Sequence, residues 1–125
     1  MPERPLPDPR PERDPHRRLL ALLGLGMRSR GVVVGVEQVR AAAKSGTLAL
    51  AVVAWDAAHN SRDKVVPLLA AKRVPVVDGP SAEQLGAALG RGPTAAVGVV
   101  DRALANGMRA VSAVRVQAVQ EDSGE

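Results

Sequence analysis

Apolar positions along the middle of the chain switch repeatedly between a period near 3.6 and short uninterrupted runs, the signature of alternating helices and strands. Residues Arg17 to about Met27 are apolar nearly all round, which predicts a helix packed in a crowded layer and weakened at Gly24 and Gly26. A β-branched run at 32–34 follows. From Gly35 the spacing is helical, with Val36, Val39 and Ala43 on one face and Glu37, Arg40 and Lys44 on another; the helix should stop at Ser45-Gly46, where glycine takes the left-handed cap. LALAVVA at 48–54 reads as a strand covered on both faces, at the centre of a sheet.

A further helix is expected from Asn60 or Ser61 to Lys72, with Val65, Leu68 and Leu69 inward. Pro67 lies too deep for a first-turn proline and predicts a kink or a late start. VPVV at 74–77 is the next strand, and Asp78-Gly79-Pro80 a turn. Ser81 and Gln84 have the spacing of a capping box ahead of a helix that buries Leu85, Ala88 and Leu89 and ends at Gly90. TAAVGVV at 94–100 is the last strand, and Asp101 can cap a final helix through Leu104, Met108 and Val111. Four strands with interleaved helices give the α/β class, a three-layer α/β/α sandwich.

The flanks differ. Proline at positions 2, 5, 7, 9, 11 and 15 denies residues 1–17 both helix and central strand, so they are expected to form a disordered Pro/Arg-rich leader; 18–115 form the folded domain and 116–125 a disordered acidic tail. At 125 residues one domain is accommodated, and with one Trp and no Phe or Tyr its core must be aliphatic. The absence of cysteine excludes disulfides, thiolate metal sites and a cysteine nucleophile. No apolar run is long enough to span a bilayer, and the chain reads as cytoplasmic, with no membrane partner. Residues 19–115 hold twelve Lys or Arg against six acids, so the positive excess belongs to the folded part, which points to a polyanionic partner.

Candidate chemistry is sparse. Gly24-Leu-Gly26 and Gly90-Arg-Gly92 lack the Lys-Ser/Thr or strand-turn-helix context of phosphate loops. Asp56 and His59 have no third metal ligand in view, and the serines and carboxylates fall at caps and helix starts, so neither an enzyme constellation nor a cofactor site emerges. What remains is a set of basic residues at element ends: Arg28, Arg30, Arg40, Lys44, Arg62, Lys64 and Arg91. If the sheet order gathers them they form a phosphate-binding rim, with the amides at the start of the second helix adding anion affinity. A stacking platform has no aromatic to use except Trp55.

The strings LLGLGMRSRGVVVGVEQVRAAAKSG, LALAVVAWDAAHNSRDKV, VPVV, EQLGAALGR and AAVGVVD resemble the kink-turn RNA-binding ribosomal-protein superfamily, and within it the bacterial YlxQ-like branch, over about residues 18–110. The most specific pieces are the LLGL opening, the strand followed by Asp56-Ala with Asn60 and Lys64, and Leu85-Gly86 through Gly90. The resemblance implies a four-stranded mixed sheet and binding of structured RNA, ribosomal or ribosome-associated. The chain is expected to be a monomer and not an enzyme. In the family a G-x-N-E-x-x-K motif opens the second helix. Gly35 matches its glycine, Val36 follows, Glu37 stands for the asparagine, Gln38 for the glutamate and Ala41 for the lysine. Glutamine offers one accepting oxygen where a carboxylate offers two, and alanine removes a cation. The loop before the last strand, Arg91-Gly92-Pro93-Thr94, corresponds to the family's second RNA-contacting segment. With these departures, the alternative is an accessory protein-interaction subunit of a translation-related complex, touching the ribosome or translation factors, with degenerate RNA recognition.

Overall fold

A computed structural model of the chain describes residues 16–112 and 114. The elements run α1 (Arg17–Ser29), β1 (Val32–Val34), α2 (Val36–Ser45), β2 (Leu50–Val53), α3 (His59–Ala71), β3 (Val76–Asp78), α4 (Ala82–Leu89), β4 (Ala96–Val99) and α5 (Arg102–Val111). His16 and Arg17, taken with the leader from the sequence, open α1; the rest of that leader and the tail lie outside the described residues.

The sheet order is β1-β4-β2-β3. β4 is antiparallel to β1 and β2, while β2 and β3 are parallel, so the sheet is mixed. Both inner strands are buried along their whole length, which is why they read as continuous apolar runs. Alternate strand residues serve opposite faces. Leu50, Val52, Val97 and Val99 join Leu19, Leu23, Leu85 and Met108 under α1, α4 and α5. Ala51, Val53 and Ala96 join Val39, Ala43, Val65 and Leu69 under α2 and α3. The result is the expected three-layer sandwich.

α1 forms as expected and runs on through Gly24 and Gly26; a side chain at Gly26 would occupy the space held by Leu104 and Val32, so the glycine permits close approach there. Two local expectations are corrected. α3 has no late start at Pro67. It begins at His59, ahead of the expected Asn60 or Ser61, and carries Pro67 in its interior with the ring on the exposed side. β3 begins at Val76 rather than 74, because Arg73 ends the helical path in the left-handed region (φ 56°) and Val74 still bonds back to Leu69 O. The capping box is complete: Gln84 N–H donates to Ser81 Oγ (3.1 Å) and Ser81 N–H to Gln84 Oε1 (2.9 Å). Asp101 caps α5 as expected through Leu104 N–H (3.0 Å).

α5 runs antiparallel to α1, with Leu104 beside Gly26 and Gly107 beside Leu22, and His16 packs against Gly79 in the turn after β3. The described chain therefore enters and leaves at the same end of the sheet.

Candidate nucleic-acid interface

Strand register sets which loops meet. Val34 pairs with Val97, Val53 with Ala96 and with Asp78, so the end of β1, the start of β4 and the ends of β2 and β3 share one edge of the sandwich. Gly35 sits there. Its N–H donates to Ala96 O (2.9 Å), and its backbone (φ 99°, ψ 157°) lies in a region that belongs essentially to glycine, which lets β1 turn at once into α2. No side chain caps α2, so the first-turn amides of Val36, Glu37 and Gln38 are available to an anion, with Glu37 exposed on the positive end of the helix. Ala41, one turn on, is also exposed.

The loop after α4 returns to the same edge. Arg91 N–H donates to Gly86 O (2.9 Å) and Thr94 N–H to Ala82 O (2.9 Å), which lays the loop back along the helix. Any side chain at Gly86 would collide with the backbone of Arg91 and Gly92. Thr94 is buried, its hydroxyl donating to Gly92 O (2.9 Å), so it shapes the loop while Arg91, Gly92 and Pro93 are exposed.

On the other side of the start of β4 lies the loop that leaves β2. Ala54 N–H donates to Ala95 O (2.9 Å), Trp55 N–H to Pro80 O (3.1 Å), and Ala57 N–H to Ala54 O (3.1 Å). Asp56 Oδ1 accepts from Ala82 N–H (2.8 Å) at the start of α4. Asp56, though exposed, is therefore engaged by its own chain, and Trp55, which the sequence left aside as a lone aromatic, is 67% exposed. An apolar run ending in Trp directly before a loop acid was the only available signal for it.

The basic residues do not form one rim. Lys64 stands exposed in the second turn of α3, and Arg91 just past the C-cap of α4, where the loop that runs back to the Gly35 edge begins. Arg62, near the start of α3, is engaged: its guanidinium donates to Ala54 O (3.3 Å) and pairs with Asp78 (3.6 Å). Arg40 donates to Lys64 O (2.6 Å) and so joins α2 to α3 instead of lying free on the exposed face. Arg28 and Arg30 end α1 at the opposite edge, beside the start of β1, and Lys44 lies in the last turn of α2, about 14 Å along the helix from Gly35. At that far edge they are joined by exposed Lys72, Arg73 and Arg102, with Asp101 as the local acid. Helix polarity accounts for most of this division: α2, α3 and α4 start at the Gly35 edge, whereas α1, α2 and α3 end at the other, where cations are favoured.

His59 pairs with Asp63 one turn along α3 (3.1 Å) rather than with Asp56, and the described residues contain no group of three or more His, Cys, Asp or Glu placed to hold an ion. No described helix is long and apolar enough to cross a membrane.

Residues 17–108 match the family described as ribosomal protein L7Ae/L30e/S12e/Gadd45. Among solved structures, the fold is similar to that of a protein of unknown function from Bacillus halodurans, with a TM-score of 0.69 and 29% identity over 74% of this chain and 93% of that one. It is also similar to the Giardia lamblia 15.5kD RNA binding protein, with a TM-score of 0.67 and 23% identity over 84% of this chain and 93% of that one. No curated protein matches the chain.

Proposed function

Because the chain belongs to the ribosomal protein L7Ae/L30e/S12e/Gadd45 family, we propose that it binds structured RNA, as a monomer and without catalysing a reaction. The observation that carries this reading is the hydrogen bond from Gly35 N–H to Ala96 O, which holds the uncapped start of α2 beside the strand that the 91–95 loop feeds. Helix amides with no side-chain acceptor attract phosphate, and a fixed small-residue loop alongside them can approach an RNA closely.

The target we propose is ribosomal or ribosome-associated RNA with a kink-turn-like bend, bound in the cytoplasm by a YlxQ-like protein. Gly35, Val36, Gln38, Arg91, Gly92, Pro93 and Lys64 form the contact surface. Asp56, Arg62, Arg40 and Thr94 hold that surface in shape through the bonds described above. With Glu37, Gln38 and Ala41 in place of the family's Asn, Glu and Lys, recognition of sheared G·A pairs is weakened, and the RNA is held by its shape and its phosphates.

The test is binding to fluorescently labelled ribosomal RNA fragments by anisotropy across a salt series. Affinity should fall with a log–log slope of about −0.9 for each duplex phosphate neutralised. Absence of binding at about 50 mM salt overturns the reading. A pull-down from nuclease-treated lysate covers the alternative, since a protein partner survives the nuclease and an RNA-bridged one does not.

A further inference from the structure

We infer that Trp55 is a base-stacking residue, which holds the flat face of its indole against an unpaired base of the bound RNA; this rests on the RNA-binding reading above. Trp55 is the sole aromatic residue of the chain, and an aliphatic core that could bury an indole leaves it 67% exposed. Mobility of its loop does not explain this. Ala54, Trp55 and Ala57 each donate a backbone hydrogen bond, to Ala95 O, Pro80 O and Ala54 O, and Asp56 accepts one from Ala82. Four successive residues are thus anchored, and the ring is presented from a fixed backbone.

Its position fits a nucleotide. Ala54 lies beside Ala95, and Gly35 beside Ala96, so Trp55 stands about two strand spacings, roughly 10 Å, from the free amides that begin α2. Between them the chain enters β4 from the loop that begins at exposed Arg91. An anion-accepting helix start and a bare π-face at that separation match the phosphate and the base of neighbouring nucleotides. A fully paired stem buries its base faces in its own stack and cannot use the indole, so the ligand is a segment with at least one unstacked base.

Because the chain has one Trp, its native emission reports on this position alone. Two RNA probes are titrated: labelled ribosomal RNA fragments, and the same fragments annealed to their complements. With the single-chain fragments, emission should be quenched in step with the anisotropy change. Trp55→Ala should bind them about five-fold to a hundred-fold more weakly, and Trp55→Phe, which keeps a π-face, should fall between. The annealed duplexes should bind wild type and Trp55→Ala alike and leave the emission unchanged. An exposed position tolerates both substitutions, and circular dichroism should superimpose on wild type.

If Trp55→Ala binds the fragments as wild type does, with emission unmoved, stacking is overturned while RNA binding stands. If neither probe shifts the anisotropy, the RNA-binding reading fails and stacking falls with it. Equal loss on both probes, or an emission change produced only by a nuclease-treated protein fraction, also overturns the assignment, the latter making Trp55 a protein contact.

Discussion

Asp56 Oδ1 accepts a hydrogen bond from the backbone N–H of Ala82 at 2.8 Å, so the loop leaving β2 supplies the acceptor for the first amide of α4. Asp56→Ala should therefore cost about 1 kcal/mol, the usual worth of a helix cap, and Asp56→Asn, which retains an acceptor, less. Urea unfolding reads this as a lowered midpoint at constant m. A midpoint equal to wild type for Asp56→Ala would show that Ser81 and Gln84 cap the helix unaided.

Two glycines inside helices should respond to alanine with opposite signs. A Cβ at Gly107 meets Leu22 Cδ1 at an ordinary 3.8 Å, so Gly107→Ala should gain about 0.5–1 kcal/mol from the reduced cost of ordering the helix. The same change at Gly26 drives into Leu104 and Val32 and should lose about 1–3 kcal/mol through overpacking. Thermal midpoints of the two variants check the sign directly.

Gly86→Ala tests whether the 91–95 loop must lie where it does. The new methyl collides with backbone rather than with a pliable side chain, so the loop has to lift from α4. The expected outcome is a lower melting temperature together with weaker RNA binding. A variant that melts and binds as wild type would separate the loop from the interface.

Much of this architecture was legible in the residues themselves. Leu50 to Val53 and Ala96 to Val99 are covered on both faces, and both segments stand out as unbroken apolar runs. Ser81 and Gln84 announced their reciprocal cap by spacing alone. Pro67 did not delay the helix: α3 already runs from His59 and carries the exposed proline in its interior at the cost of one amide donor. The basic rim did mislead. Arg28, Arg30 and Lys44 resemble Lys64 and Arg91 in sequence, but which edge each occupies depends on strand order and helix direction, and neither is written in local composition. Trp55 could be named as the lone aromatic, but its exposure depends on contacts with Pro80 and Ala95 that are distant in sequence.

Arg30 occupies the left-handed C-cap position of α1 (φ 63°), where glycine is the low-energy residue. Arg30→Gly should raise stability by about 0.5 kcal/mol, the relief of the left-handed backbone outweighing the entropy that glycine adds to the unfolded chain. Urea midpoints again provide the measure. A lower midpoint would mean that the Arg30 side chain contributes an offsetting interaction.

The two edges should behave differently towards salt. Replacing Lys64 and Arg91 together by alanine should weaken RNA binding and flatten the log–log salt slope by about 1.8, as expected for two lost phosphate contacts on duplex. Replacing Arg28 and Arg30 together should leave the slope near its wild-type value. The reverse result would seat the RNA on the far edge.

Because α1 starts beside Gly79 and α5 runs antiparallel to it, His16 and Val111 both lie at the end of the sandwich that carries Gly35 and Trp55. Any fusion or immobilisation handle joined at either of these points hangs over the face proposed to meet RNA. A biosensor surface coupled there would present the molecule upside down, whereas a cysteine introduced at exposed Ala71, in a chain that has none of its own, offers a linkage site on the opposite edge.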